Sequence, residues 1–101
     1  MSKYAMFGKL TAHPGKREEL ARLMLESGET LNGMEGCIYY ILHEAEDEPD
    51  VLWVTELWES AEAHAASLRN ENVLAVIQRC RPLIAGVSSV RVRPIGGKGL
   101  S

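Results

Sequence analysis

A chain of 101 residues builds one domain and buries roughly 60 to 65 % of the surface that its unfolded form exposes. Its 46 % hydrophobic and 25 % charged residues are globular composition and leave out a disordered chain or a helical membrane protein. The net charge of −3 argues against nucleic acid as the main partner, because phosphate-backbone binding needs a surplus of clustered Lys and Arg.

The opening MSKYAMFGKL has no apolar core of the signal-peptide type, so the expected location is the cytoplasm, with no membrane partner. Cys37 and Cys80 are too few for a disulfide framework and lack the close Cys or His spacing of a zinc site. Both read as buried thiols, and no metal is expected. Most of Arg79, Arg81, Arg91 and Arg93 read as solvated structural positions; Arg79 and Arg81 are surface salt-bridge residues by default, or partners of an anionic substrate.

In chain order, YAMFGKLTA mixes aromatic, apolar and small residues without helical spacing and predicts a strand. HPGKREEL predicts a helix opening at Pro14, with His13 as its capping residue and Glu18 and Glu19 near the positive end of the dipole. Leu20, Leu23, Met24, Ser27 and Leu31 keep one apolar side, and the glycines of NGMEG end the helix. CIYYILHEA and VLWVTELWE predict two strands joined by the acidic loop EDEPD, an antiparallel hairpin. Ser60 is the N-cap of a short alanine-rich helix, AEAHAASL. A further helical piece, NENVLAVIQRC, is capped by Asn70 or Asn72, is ended or bent by Pro82, and is left at Gly86. VSSVRVRPI alternates Val90 and Val92 with Arg91 and Arg93, the period of a strand. The expected organisation is one domain over residues 1–95 with a flexible tail, 96–101.

The order β-α-β-β-α-α-β predicts an α+β fold of the ferredoxin-like, split βαβ kind, with helices over one face of a four-stranded antiparallel sheet. In the second strand Cys37, Tyr39 and Ile41 point one way and Ile38, Tyr40 and Leu42 the other. In the third, Trp53 and Leu57 oppose Leu52, Val54 and Trp58. Both faces are apolar, whereas a sheet with one solvated face alternates apolar with polar. The chain has nothing left to cover the second face, which predicts a homodimer through the sheet faces.

The run GCIYYILHEAEDEPDVLWVTELWESAEAH, followed by PLIAG, resembles the antibiotic biosynthesis monooxygenase family of dimeric α+β barrels. The shared pattern is Gly-Cys with a tyrosine in the following strand, an acidic loop with Asp and Pro, an apolar strand ending Glu-x-Trp, then Ser and an alanine-rich helix. KLTAHPGKREEL fits the family's first strand-to-helix turn, and the likeness covers nearly the whole chain apart from the tail. The resemblance implies a small dimer with an apolar cavity between sheet and helices. It also implies a monooxygenase that needs no cofactor, neither metal nor flavin, and acts with O₂ on a small aromatic substrate: a phenol, anthrone or quinol. In such chemistry the deprotonated substrate is itself the reductant. The protein supplies a dry pocket, a base or hydrogen bond that favours the anion, and aromatic walls.

His64 and Glu56 are the candidate catalytic residues. A histidine titrates near neutrality and can take a phenolic proton; the family's helix histidine stands three positions later, where this chain has Ser67. Glu56 shares a strand face with Val54 and Trp58, where burial would raise its pKa and make it a base; otherwise it is a carboxylate held by backbone or an arginine. Trp58, Tyr39, Tyr40 and Phe7 are the candidate substrate-pocket residues. The two tyrosines point to opposite faces, so at most one lines a given cavity. His43 reads as a wet position near the acidic loop. Two alternatives stand beside the oxygenase. One is a haem-binding or haem-degrading relative, although the positions where such relatives carry asparagine, tryptophan and the axial histidine hold Gly8, Ser67 and Ile77 here. The other is a non-catalytic dimer that binds a small ligand.

Overall fold

The computed structural model describes residues 3–99, apart from the side chains of residues 27–29. The elements are β1 (Tyr4–Ala12), α1 (Arg17–Asn32), β2 (Cys37–Glu44), β3 (Val51–Trp58), α2 (Ala61–Ser67), α3 (Glu71–Cys80) and β4 (Ile84–Val92), with a 3₁₀ turn at Arg81–Leu83. The strands pair antiparallel in the order β2-β3-β1-β4, the ferredoxin-like α+β arrangement.

The helices cover one face. Leu20, Leu23 and Met24 of α1 pack on Ala12, Leu52 and Val54 together with Cys80 and Leu83, and a second cluster joins Leu31, Trp58 and Val73. Spacings of three, four and seven residues put these α1 side chains on one stripe, and each buried leucine contributes roughly 1.5–3 kcal/mol. Ser27, expected on the same stripe, lies outside the described side chains, and Leu100 and Ser101 of the expected tail lie outside the described residues.

Three local expectations are corrected. α1 begins at Arg17 rather than Pro14: the Lys16 N–H donates to His13 O at 2.9 Å and Gly15 has φ of +79°. His-Pro-Gly is therefore a turn, because a left-handed glycine cannot continue a helix, and His13 belongs to that turn and not to a helix cap. Gly86 does not mark the exit from α3. It lies inside β4 opposite Thr11, next to a bulge between Thr11 and Ala12, a usual place for a strand glycine. In β2 the register slips between Cys37 and Tyr39. The extra residue, Ile38, breaks the two-residue period, so Cys37 joins Tyr40 against Trp58 and Leu31 while Tyr39 and Ile41 stay exposed on the open face.

The caps expected at the two later helices are formed. The Ser60 hydroxyl accepts from the Ala63 N–H at 3.1 Å, and the Asn70 side chain accepts from the N–H groups of Asn72 and Val73. Gly36, with φ of +88°, lets the start of β2 approach α2 so closely that a Cβ there would sit 2.5 Å from Ala63 Cβ. The Glu59 N–H donates to Gly36 O at 2.8 Å, tying the end of β3 to the same point. α2 is thereby fixed over the sheet. Among the described residues, no helix is long and apolar enough to cross a membrane.

Candidate functional site

Between the helices and the sheet lies a cavity of about 430 Å³, the size of a small-molecule site. Strand alternation builds its floor. Met6 and Gly8 of β1 and Val54, Glu56 and Trp58 of β3 share the helix side, joined by Tyr40 of β2. His64 and Ser67 of α2 and Val73, Ile77 and Cys80 of α3 close it from above, and the exposed Leu68 and Val87 belong to its rim.

The walls are mostly apolar, and the ionisable side chains Glu56 and His64 meet at one corner. Glu56 is only 7 % exposed, and its Oε1 accepts a hydrogen bond from Trp58 Nε1 at 3.0 Å. His64 Nε2 lies 3.7 Å from the same oxygen. His64 is held by aromatic rings on two sides: it stacks on Tyr4 with centroids 4.9 Å apart and meets Trp58 edge-on at 5.5 Å. Ser67 Oγ donates to His64 O at 2.6 Å.

Burial pushes the Glu56 carboxyl above its ordinary pKa, and the Trp58 donor pulls it part of the way back. Burial, and after it the Arg91 guanidinium, pushes His64 down. The 3.7 Å approach would favour an imidazolium beside a carboxylate, yet both shifts run toward the neutral forms. Taking two charges out of water here costs more than their attraction recovers, and the distance is too long for a hydrogen bond. Burial first and Glu56 second also raise the Tyr40 phenol, which stays a hydrogen-bond donor at any physiological pH. The corner therefore offers a carboxyl with raised proton affinity, a neutral imidazole, an indole N–H and a phenol O–H, in low dielectric.

Glu56, His64, Trp58 and Tyr40, four of the residues expected in the site, line this one cavity. Phe7 and Tyr39 do not: both are exposed on the opposite, open face, because β1 and β2 alternate and the helices cover only the side of Met6 and Tyr40. His43 is also on the open face, with Nε2 2.9 Å from Thr55 Oγ1, and Arg79 pairs with Glu26 at 2.7 Å on the surface. Tyr4 went unnoticed in the sequence, although it shares the alternation phase of Met6 and Gly8. Residues 64 and 67 are three apart on one helix, hence on one face, so His64 reaches the cavity from one turn before Ser67. Gly8, Ser67 and Ile77 all line the cavity, and none can ligate iron in the usual way, so these positions do not fit haem. Among the described residues no group of three or more His, Cys, Asp or Glu gathers to hold a metal ion.

Known proteins share this architecture. The model of the antibiotic biosynthesis monooxygenase family matches residues 4–79. The solved structure of a candidate antibiotic biosynthesis monooxygenase from Chloroflexus aurantiacus superposes with a TM-score of 0.89 at 37 % identity, covering 99 % of this chain and 100 % of that one. A second candidate of the same description, from Caulobacter crescentus, gives 0.89 at 21 % identity over 94 % and 92 % of the two chains. A Mycobacterium tuberculosis protein gives 0.86 at 20 % identity over 97 % and 100 %. The last two bear on the fold alone. No curated protein matches the chain.

Proposed function

The chain belongs to the antibiotic biosynthesis monooxygenase family, and from that premise we propose that it oxygenates a small, flat aromatic substrate with O₂, using neither metal nor flavin. The observation that carries this is Glu56, the one buried carboxyl among the described residues, held by the Trp58 N–H in a mostly apolar cavity beside His64. A carboxylate short of water is a stronger base than one at the surface.

With an anthrone-type substrate, ionised Glu56 takes one proton from the ring CH₂. The resulting carbanion is conjugated with the ring carbonyl, and the Tyr40 O–H and the neutral His64 ring are the donors available to its oxygen. One electron passes from this anion to O₂, and the two radicals combine into a C–O–O⁻ peroxide. Protonated Glu56 returns its proton to the peroxide. Loss of the second C–H proton with the distal OH then gives the ketone and water: CH₂ + O₂ becomes C=O + H₂O. Trp58 and Tyr4 hold the carboxylate and the imidazole in place, and Trp58 offers a flat wall to the rings. The apolar walls shield the anion and the peroxide from water.

We further propose a cytoplasmic location and a homodimer; the exposed apolar side chains Phe7, Tyr39, Ile41, Trp53 and Val90 on the open face of the sheet support the pairing. The test is oxygen uptake by chelator-treated protein with a panel of anthrones, phenols and quinols. Turnover above the uncatalysed rate is expected. Uptake at the uncatalysed rate, with a tight aromatic ligand recovered from the purified protein, would replace the oxygenase by a binding dimer, and a Soret shift with hemin would replace it by a haem protein.

A further inference from the structure

Behind the Tyr4 and His64 stack lies a second recess, of about 360 Å³, lined by Lys3, Tyr4, Ala61, Arg91, Val92 and Arg93. Three of these six side chains are cations, in a chain whose net charge is −3. Two-residue alternation in and just beyond β4 brings Arg91 and Arg93 to the same concavity, and the start of β1 adds Lys3. Local neutralisation is slight: among the described residues the one ion pair here joins Lys3 to Glu59 at 4.0 Å. The Arg91 guanidinium lies instead over the Tyr4 ring, 5.1 Å from its centre, an orientation that leaves its N–H fork for another acceptor.

We propose that this recess is an anion site whose ligand is the phosphate group of a small phosphate ester. Arginine forks match tetrahedral oxyanions in bidentate fashion, and a lysine adds a point charge. The volume exceeds what a bare ion fills and is in the range of small-molecule sites, and the Tyr4 ring provides an apolar wall for the organic part. Such a ligand is in electrical reach of the oxygenation cavity without entering it, because Arg91 lies over the Tyr4 ring and Tyr4 stacks on His64, which lines that cavity. The charged and titratable groups facing His64 are Glu56 from β3, Tyr4 from β1 and Arg91 from β4. An anion on Arg91 offsets the positive field at the imidazole, so occupancy of the recess moves the proton affinity of His64 upward. The site stands independently of the oxygenation chemistry.

The experiment is an amide-shift NMR titration with inorganic phosphate and with phenyl phosphate, at constant ionic strength against sodium chloride, following the His64 ring resonances as well. The expected result is saturable shifts at Lys3, Tyr4, Ala61 and 91–93, tighter for phenyl phosphate, with an upward move of the His64 titration midpoint. Arg91→Gln with Arg93→Gln should weaken binding about tenfold, the loss of charge-assisted hydrogen bonds, while the melting curve stays as in the parent; Arg93→Gln alone should give an intermediate affinity. Shifts no different from chloride, or an unchanged affinity in the double variant, would overturn the site. Equal or tighter binding of inorganic phosphate would overturn the ester.

Discussion

Glu56 is where the proposed chemistry and the stability of the chain pull in opposite directions. Its folded pKa is raised above the unfolded value of 4.5, so the folded state holds the proton more tightly. Its contribution to stability is complete below pH 4.5 and is lost as pH rises through the folded pKa. His64, whose folded pKa is lowered from 6.5, contributes above pH 6.5 and loses that contribution as pH falls. Glu56→Gln keeps an oxygen for the Trp58 N–H and has no proton to lose. We predict that it melts above the parent at neutral pH and that the gap closes below pH 4.5; thermal melts across that range decide it, and a variant less stable at neutral pH would refute the sign. Trp58→Phe removes the donor that lowers the Glu56 pKa. The acid limb of its kcat/KM profile should therefore move to higher pH, and a limb that stays put would separate Trp58 from the base.

α2 is short, seven residues, and is held by contacts at its ends. Ser60→Ala removes the cap and should cost about 1 kcal/mol in urea unfolding. Gly36→Ala places a methyl 2.5 Å from Ala63 Cβ at a φ of +88° and should cost about 1–3 kcal/mol, with a loss of activity because α2 carries His64. An unchanged denaturation midpoint would contradict the close approach. Element types were legible because Leu20, Leu23 and Met24 repeat at helical spacing, and Ser60 and Asn70 announce helix starts. What escaped were features set by backbone conformation. His-Pro-Gly suits a turn as well as a helix start, and no local signal marked Ile38 as a bulge. Alternation separated Tyr39 from Tyr40, but only the side on which the helices settle decides which of them sees the cavity. The helices settle on the side of Tyr4 and Met6, which leaves Phe7 on the open face.

On the scale of the whole molecule, both faces of the sheet are apolar and one is uncovered, with Ile41 47 % and Tyr39 40 % exposed. A face of this kind on a lone chain invites association, and the proposed homodimer buries it by two-fold pairing. Ile41→Lys should shift the protein from dimer to monomer in sedimentation at micromolar concentration, and a parent that already sediments as a monomer would end the proposal. On the other face, Glu56 is the proposed base of a cofactor-free oxygenation. Oxygen uptake by chelator-treated parent and by Glu56→Gln, with an anthrone as substrate, decides that role. One O₂ should be consumed for each ketone formed, and the rate should fall about 10²–10⁴-fold in the variant, the worth of a general base. A variant as fast as the parent, or a parent no faster than buffer, would contradict it.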